Sequence, residues 1–565
     1  MSPLSRRAAG RALCLVSLAA AGFAPARGGA QAVLGAGDDA VPVPAGVLRF
    51  RAMSRWTLFG ERYGLNTPGR KNGAVEPLGV DFNLDTIGVK QFESLAPVQA
   101  GIRALAGMPD WVASLGKSVV RVRDQVVATP LGVELGVTSR LTIGALVPFV
   151  TATSNVDFRM NPTGLEPTIG FNPAFTNASV LQANTLLLAQ FDSAAAQLTR
   201  ALGTCAAVPS APGCAALNAN AASARTLLQN AAGFTAGLAQ VYGGRNGAKG
   251  FPFVPVAGST AQASVTARVA AFRSLFASFG SAGIVGTGPS GAAPLTATTA
   301  QALFTDSSFG IASKPLATSI TRGIGDIDLF ATLNLFDSFG RDVNKRIAPK
   351  GFNWRQSVGG LYRLGTGTLK SPDDFTGLGT GDHQNDVGVR SYTDLLWGSH
   401  FWLSLVAKYD WQMADQIVTR ITAAPDQPLA PAYRRQTVGR DLGDVFELQV
   451  NPRWSITDYI GISAHYDYRR KFSDRYTGTF TVNDLNGQPL TIDASTLDLE
   501  TEAREHRLGG SLTYSTVAAH EKGLVRVPYD ITYSHFETTL GSGGNVPKLV
   551  QDQIQFRLYT RLFGR

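Results

Sequence analysis

The sequence predicts an all-β chain: a transmembrane antiparallel β-barrel of about 12 strands, with a helical insertion in a long extracellular loop. Three observations predict it. The C-terminal stretch 548–563 alternates, with Ile554, Phe556, Leu558, Thr560 and Leu562 on one side and Gln553, Gln555, Arg557, Tyr559 and Arg561 on the other. A strand repeats every two residues, so this is an apolar face backed by a polar one. Comparable strips recur along the chain, whereas no part of the mature region runs to the ~20 consecutive apolar residues of a membrane-spanning helix. The connections between strips alternate short and long, as the two rims of an outer-membrane barrel do. In a soluble sandwich a second sheet would cover each apolar face, and the alternation of connections would be a coincidence.

Composition sets the class. Of 565 residues, 44% are hydrophobic, 16% are charged and 61 are Gly; mean hydropathy is +0.03. The N-terminus reads as a secretory signal over 1–32: Arg6, Arg7 and Arg11 precede an apolar stretch at 12–24, and Ala30-Gln31-Ala32 is a small-x-small cleavage site. The residues before Cys14 make no lipobox. Positions 1–32 hold four Arg and no acidic residue, so their removal takes the net charge from +9 to +5. That mild excess contains no basic block of the kind nucleic acid requires. Cys205 and Cys214 remain; two cysteines nine apart in an exported chain are expected to pair.

Taken in order, 33–46 is a Gly, Ala and Pro-rich periplasmic lead containing Asp38 and Asp39. The first barrel segment, 47–159, opens with a strand at 47–59, where Leu48, Phe50 and Ala52 alternate with Arg49, Arg51 and Met53. A long first loop, 60–117, follows; its apolar part at 92–115 is helix-prone and has the option of folding back into the lumen. Strands at 119–137 and 141–150 flank the turn 138–140. The segment 160–322 interrupts the β pattern. Apolar positions three and four apart at 180–202 and 215–242 predict a helical hairpin tied by Cys205 and Cys214, and 265–279 a third helix. An insertion of this length is a cap or a plug rather than a simple loop. The second barrel segment, 323–565, supplies strands at 323–336, 352–364, 386–397, 400–412, 442–456, 460–472, 505–514, 525–536 and 548–563. Turns at 138–140, 337–351, 398–399, 457–459 and 515–524 face longer connections at 60–117, 159–322, 365–385, 413–441, 473–504 and 537–547. A chain that starts and ends at the periplasm needs an even number of strands. Trp56, Trp397, Trp402, Trp411, Trp454, Tyr459 and Phe563 lie near strand ends, as interfacial girdles do.

Several phrases carry a family resemblance. The stretch 130–150, PLGVELGVTSRLTIGALVPFV, resembles the strand–turn–strand unit of the phenol meta-degradation-pathway family of outer-membrane transporters, related in outline to the FadL-type channels. Gly323-Ile324-Gly325-Asp326 and Gly379-Thr380-Gly381-Asp382 resemble that family's GxGD strand openings. Asn172-Pro173-Ala174 is similar to a motif near the start of FadL-type proteins, but lies far from the start here. The resemblance implies a channel for hydrophobic or aromatic compounds, with outer-membrane lipid, a small hydrophobic solute and the barrel-assembly machinery as partners.

The inward faces collect both signs of charge: Glu134, Asp326, Asp328 and Arg453, together with the candidates for lining the lumen. Those candidates are Arg355, Arg363, Arg390, Asp394, Lys408, Asp410, Glu447, His465, Asp467, Arg469, Arg507, Arg526, Asp530, Arg557 and Arg561. Such a set is a lattice of ion pairs, or a permeation path in which Arg favours an anionic group and carboxylates prevent trapping. Three functions compete. The leading one is a channel in the outer membrane of a Gram-negative-type cell, without cofactor. The second is a surface-interaction protein that works through 160–322. The third is a lipolytic enzyme built on His465 with Ser463 and Asp467, which share a strand face; outer-membrane phospholipases instead follow their His with a Ser two residues on, and no His here does. Asp373, Asp374, Asp382 and Asp386 lie close enough in one loop to hold Ca²⁺; the simpler reading is a solvated acidic loop, and no metal site is assigned.

Overall fold

The computed structural model describes residues 38–64, 73–162, 167–340, 350–424, 427–485 and 487–562. The signal at 1–32 and Phe563 lie outside them. The described chain forms two compact units, one of residues up to 81 with 120–157 and 313–565, the other of 82–119 and 158–312.

The first unit is a closed antiparallel barrel of twelve strands: β1 (Val47–Phe59), β2 (Ser118–Gly136), β3 (Leu141–Met160), β4 (Ser319–Ile324 and Ile327–Asp337 counted together), β5 (Phe352–Leu364), β6 (Asp386–Trp397), β7 (Phe401–Gln412), β8 (Val445–Ser455), β9 (Ile460–Lys471), β10 (Ala503–Ser515), β11 (Tyr529–Gly543) and β12 (Val550–Arg561). Each strand pairs with the next, and β1 pairs with β12 from Val47 opposite Arg561 to Leu58 opposite Val550. Closure removes every edge, as a bilayer-spanning sheet requires.

Burial is inverted relative to a soluble protein. On β12, Ile554 and Phe556 are 42% and 37% exposed while Gln551, Gln553 and Gln555 are buried. On β5, Trp354, Val358 and Tyr362 are exposed and Arg363 is buried. The apolar side is therefore outermost and the charged side inside, which leaves lipid to cover the former.

Differences from the sequence reading have local causes. The ladder between β1 and β2 passes from Ala52 opposite Leu131 to Arg55 opposite Ala128, skipping Pro130, which has no N–H to give. β4 breaks at Gly325 and Asp326; Gly325 N donates to Pro148 O, and β3 pairs with both halves. β11 starts at Tyr529 rather than at 525, because α7 (Val517–Glu521; the earlier helices are given below) and a turn ending at Pro528 fill the connection. The two GxGD phrases meet. Asp326 accepts from Gly367 N and Asp382 N at 2.7 and 3.0 Å, and Thr380 Oγ1 donates to Ile324 O. A Cβ on Gly381 would lie 2.3 Å from Asp326 Oδ2, so a side chain there would push Asp326 from these bonds. Two long connections also fold together: strands Asp415–Arg420, Arg435–Asp441 and Arg475–Thr477 form one sheet beside the hairpin of Thr479–Asn483 and Pro489–Asp493, with Ile421, Val438, Ile492 and Ala494 as their core.

The second unit holds α1 (Leu95–Ala106), α2 (Ala178–Ala207), α3 (Cys214–Ala219), α4 (Ala221–Tyr242), α5 (Thr260–Ser278) and α6 (Ala297–Thr305). Cys205 and Cys214 are bonded. The helical part of the first loop does not stand apart from the insertion. α1 packs on α4 and α5, and Arg268 of α5 donates to Leu105 O at 2.6 Å. The core is aromatic: Phe234 stacks on Phe272 at 4.9 Å, and Phe191 meets Phe234, Phe272 and Phe276. Asn172, from the phrase at 172–174, caps a 3-10 turn by accepting from Ala174 N, and donates to Lys249 O and Phe251 O.

Candidate functional site: the barrel lumen

Register builds the lumen wall. Arg363 stands opposite Asp386 on one side and Asp328 on the other. It is 1% exposed and reaches both, at 3.1 and 2.9 Å. The same logic pairs Lys408 with Glu447 at 3.2 Å and Arg557 with Asp530 at 2.7 Å, while Arg390, opposite Lys408, reaches diagonally to Asp410 at 2.5 Å. Arg507 stands opposite Asp467 and reaches Glu505 at 3.5 Å, while Arg469 stands opposite Glu447. Asp394 accepts from Ser404 at 2.8 Å. Paired buried charges hold one another in place, and removing one partner strands the other.

Two candidates fall elsewhere. Arg526 is exposed in the turn before β11, not on the inner wall. Arg561 is exposed at the rim, the last residue of β12. Arg355 is half-buried, 5.2 Å from the rings of both Phe339 and Trp402. Trp402 shares the inward parity of Ser404, and Arg453 lies 5.2 Å from its ring, so it is not part of an outer girdle.

His465 is built into the wall differently from its expected set. Its Nδ1 meets Asn451 Oδ1 at 2.7 Å and its Nε2 meets Ser511 Oγ at 2.8 Å, with Ser463 Oγ at 3.3 Å. Asp467 pairs in register with Arg507 instead. The His465 ring lies 5.2 Å from that of Phe536 and is buried. The acidic loop is likewise dispersed: Asp373 faces Arg420 and Arg435, Asp374 faces Lys314, and Asp386 faces Arg363.

Two features were not among the predicted site residues. The first is the described part of the lead, 38–46, which lies against the inner wall of the barrel. Ala40 is fully buried against Tyr392 and Val406; its N donates to Asp394 Oδ2 and its O accepts from Ser357 Oγ. Val43 N donates to Thr142 Oγ1. Asp38 and Asp39 face Arg51, Lys408 and Arg453. Burial pushes the Asp39 carboxyl up, but the charges of Arg453, Arg557 and Arg49 more than reverse this and hold it below the ordinary range. The second is an apolar strip on the inner wall. Met53, Phe59, Val126, Ala128, Val150 and Ala152 cluster with Leu549 and with Leu378 from the loop after β5. The alternation of Arg49, Arg51, Met53 and Phe59 along β1 was a signal for both.

A groove of about 690 Å³ opens on the outer face, lined chiefly by Leu333, Val358, Gly360, Val389, Tyr409 and Phe446. Most of its lining is outward-facing, although the strands it follows also carry Arg390 and Lys408.

A closed, inside-out barrel with a charged interior defines a bilayer-spanning protein of the outer-membrane type. No family model and no curated protein sequence matches the chain. Among solved structures it is similar to an outer membrane channel from Pseudomonas putida, 9% identical over 94% of this chain and 100% of that one, with a TM-score of 0.40. A Pseudomonas aeruginosa FadL homologue follows at 8% identity, covering 92% and 91%, with a TM-score of 0.24. The Ralstonia pickettii toluene transporter TbuX stands at 8% identity, 93% and 92%, with a TM-score of 0.22. At these scores the barrel rests on its own strand pairing, not on the likeness.

Proposed function

We propose that the protein is an outer-membrane channel for small, hydrophobic or aromatic compounds, of the FadL-like kind that its strand phrases resemble. One observation carries this reading. A largely polar lumen bears an apolar strip, Met53, Val126, Ala128, Val150 and Ala152, occupied by Leu378. A lumen used only for ions or water has no need of such a strip, whereas an apolar solute gains free energy from leaving water for it. Uptake of a small aromatic into liposomes holding the purified chain tests the idea: flux above lipid leakage is expected, and Leu378→Ala raises it. Leakage-level flux for every aromatic and fatty solute tried would refute it.

A second reading uses the helical unit as a recognition surface, with the barrel as anchor. What favours it is that the unit has its own aromatic core and disulfide. Deleting 165–315 separates the two: a channel keeps or gains flux, whereas a surface receptor loses binding while the barrel still inserts.

A further inference from the structure

The cationic part of the lumen is filled by the chain's own carboxylates. Asp38 Oδ1 lies 3.7 Å from Arg51 Nη1, and Asp38 Oδ2 lies 3.6 Å from Lys408 Nζ. Asp39 Oδ2 lies 3.3 Å from Arg453 Nη1. The wall supplies carboxylates of its own: Glu134 to Arg49 and Arg51, and Glu447 to Lys408. The two lead aspartates thus add their charge to that of the wall carboxylates around Arg51, Lys408 and Arg453.

Arg453 Nη1 donates to Asp39 Oδ2, whereas Asp38 meets its cations by charge alone. Asp38 Oδ2 and Arg51 Nη1 are both buried, yet neither has a hydrogen-bond partner among the described residues. Arg51 is 6% exposed and its guanidinium is held at ion-pair distance from a carboxylate that does not seat on it. A carboxylate free of the backbone would settle at ~2.7–2.9 Å from the same groups. Met53, the next inward residue of β1 after Arg51, begins the apolar strip about 7 Å away.

Resting on the channel reading above, we propose that this cradle of Arg51, Lys408 and Arg453 binds small carboxylate-bearing solutes. Asp38 and Asp39 are a tethered stand-in that the solute displaces. The lead competes at the effective concentration its tether gives it, of millimolar order, so the solute acts in that range.

Two measurements on the full chain test this. The first needs no transport. Val41→Cys is placed in the lead, and its reaction with a maleimide in detergent is read at position 41 by peptide mass. Benzoate is expected to speed labelling by about tenfold, equivalent to ~1.4 kcal/mol of lost lead contact, whereas benzamide at the same concentration does not. Adding Asp38→Asn with Asp39→Asn gives the faster rate without benzoate. Equal effects of benzoate and benzamide, or an unchanged rate in the Asn variant, overturn the proposal. The second measures reversal potentials in planar bilayers under a benzoate gradient. The Asn variant is expected to shift towards benzoate, and Arg51→Gln with Arg453→Gln to abolish the shift; no shift overturns the proposal. A chain that labels as expected but passes no solute sinks the channel reading and leaves the binding site standing. A chain that passes neutral aromatics but labels alike under all conditions sinks the site alone.

Discussion

Arg363 shows what a single residue does in this wall. Its guanidinium is 1% exposed and bridges Asp328 of β4 and Asp386 of β6. Replacing it by Ala leaves two carboxylates facing each other without a counter-charge, so Arg363→Ala is expected to cost about 3–5 kcal/mol. A lower urea midpoint for loss of heat-resistant migration on a gel measures it. Triple replacement with Asp328→Asn and Asp386→Asn should recover much of the loss, because no charge is then stranded. Asp39 carries the opposite lesson. Its pKa lies below the ordinary value, so its contribution to holding the lead is complete above the ordinary aspartate range. That contribution fades as pH falls through the lower, folded value. Labelling of Val41→Cys, taken at each pH relative to a free thiol because the thiolate is what reacts, should therefore stay slow from neutral pH down to about pH 4, the ordinary aspartate pKa, and rise only below it; release already at pH 6 contradicts the pairing.

At the scale of elements, strands with one apolar and one polar face could be read directly. β5 and β6 occupy the residues the alternation assigned, 352–364 and 386–397, since a period of two fixes both type and face. Helices α2 and α5 were equally plain from apolar spacing, whereas the single helix expected over 215–242 breaks at Asn220 into α3 and α4. What stayed hidden depends on contacts between distant segments. Nothing local marks α1 as a partner of α4 and α5, because Leu95 and Val98 look the same whether they cover a barrel or a helix. Nor does the acidity of Asp38 and Asp39 reveal Arg51 and Lys408 as their partners. Trp402 misled for a related reason: an aromatic near a strand end reads as a girdle residue, and only the parity of Ser404 shows that it points inward. The Cys205–Cys214 bond joins α2 to α3. Opening it with Cys205→Ser should cost the helical unit about 2–3 kcal/mol from the small loop it closes. Faster proteolysis within 178–242, with an unchanged barrel, is the expected readout.

For the whole molecule, the governing fact is that the covering of the outer face is not protein. Phe556 sits 37% exposed on that face between the buried Gln555 and the half-buried Arg557. Phe556→Arg should reduce insertion into lipid vesicles by about 2–4 kcal/mol if the residue lies at mid-membrane. Gln555→Arg, on the inner wall, should cost less. Measured folding yields in vesicles decide the order, and equal losses at both positions contradict an inside-out barrel.

The seam between β1 and β12 has a consequence for biosynthesis. Residues about five hundred positions apart must meet before either strand has its second neighbour. Until β12 has been made, β1 can pair only with β2, and the ring has no way to shut. A message truncated before the last strand therefore yields a chain with two raw backbone borders, which lipid cannot satisfy. The presence of β12 is thereby a geometric condition for entering the membrane.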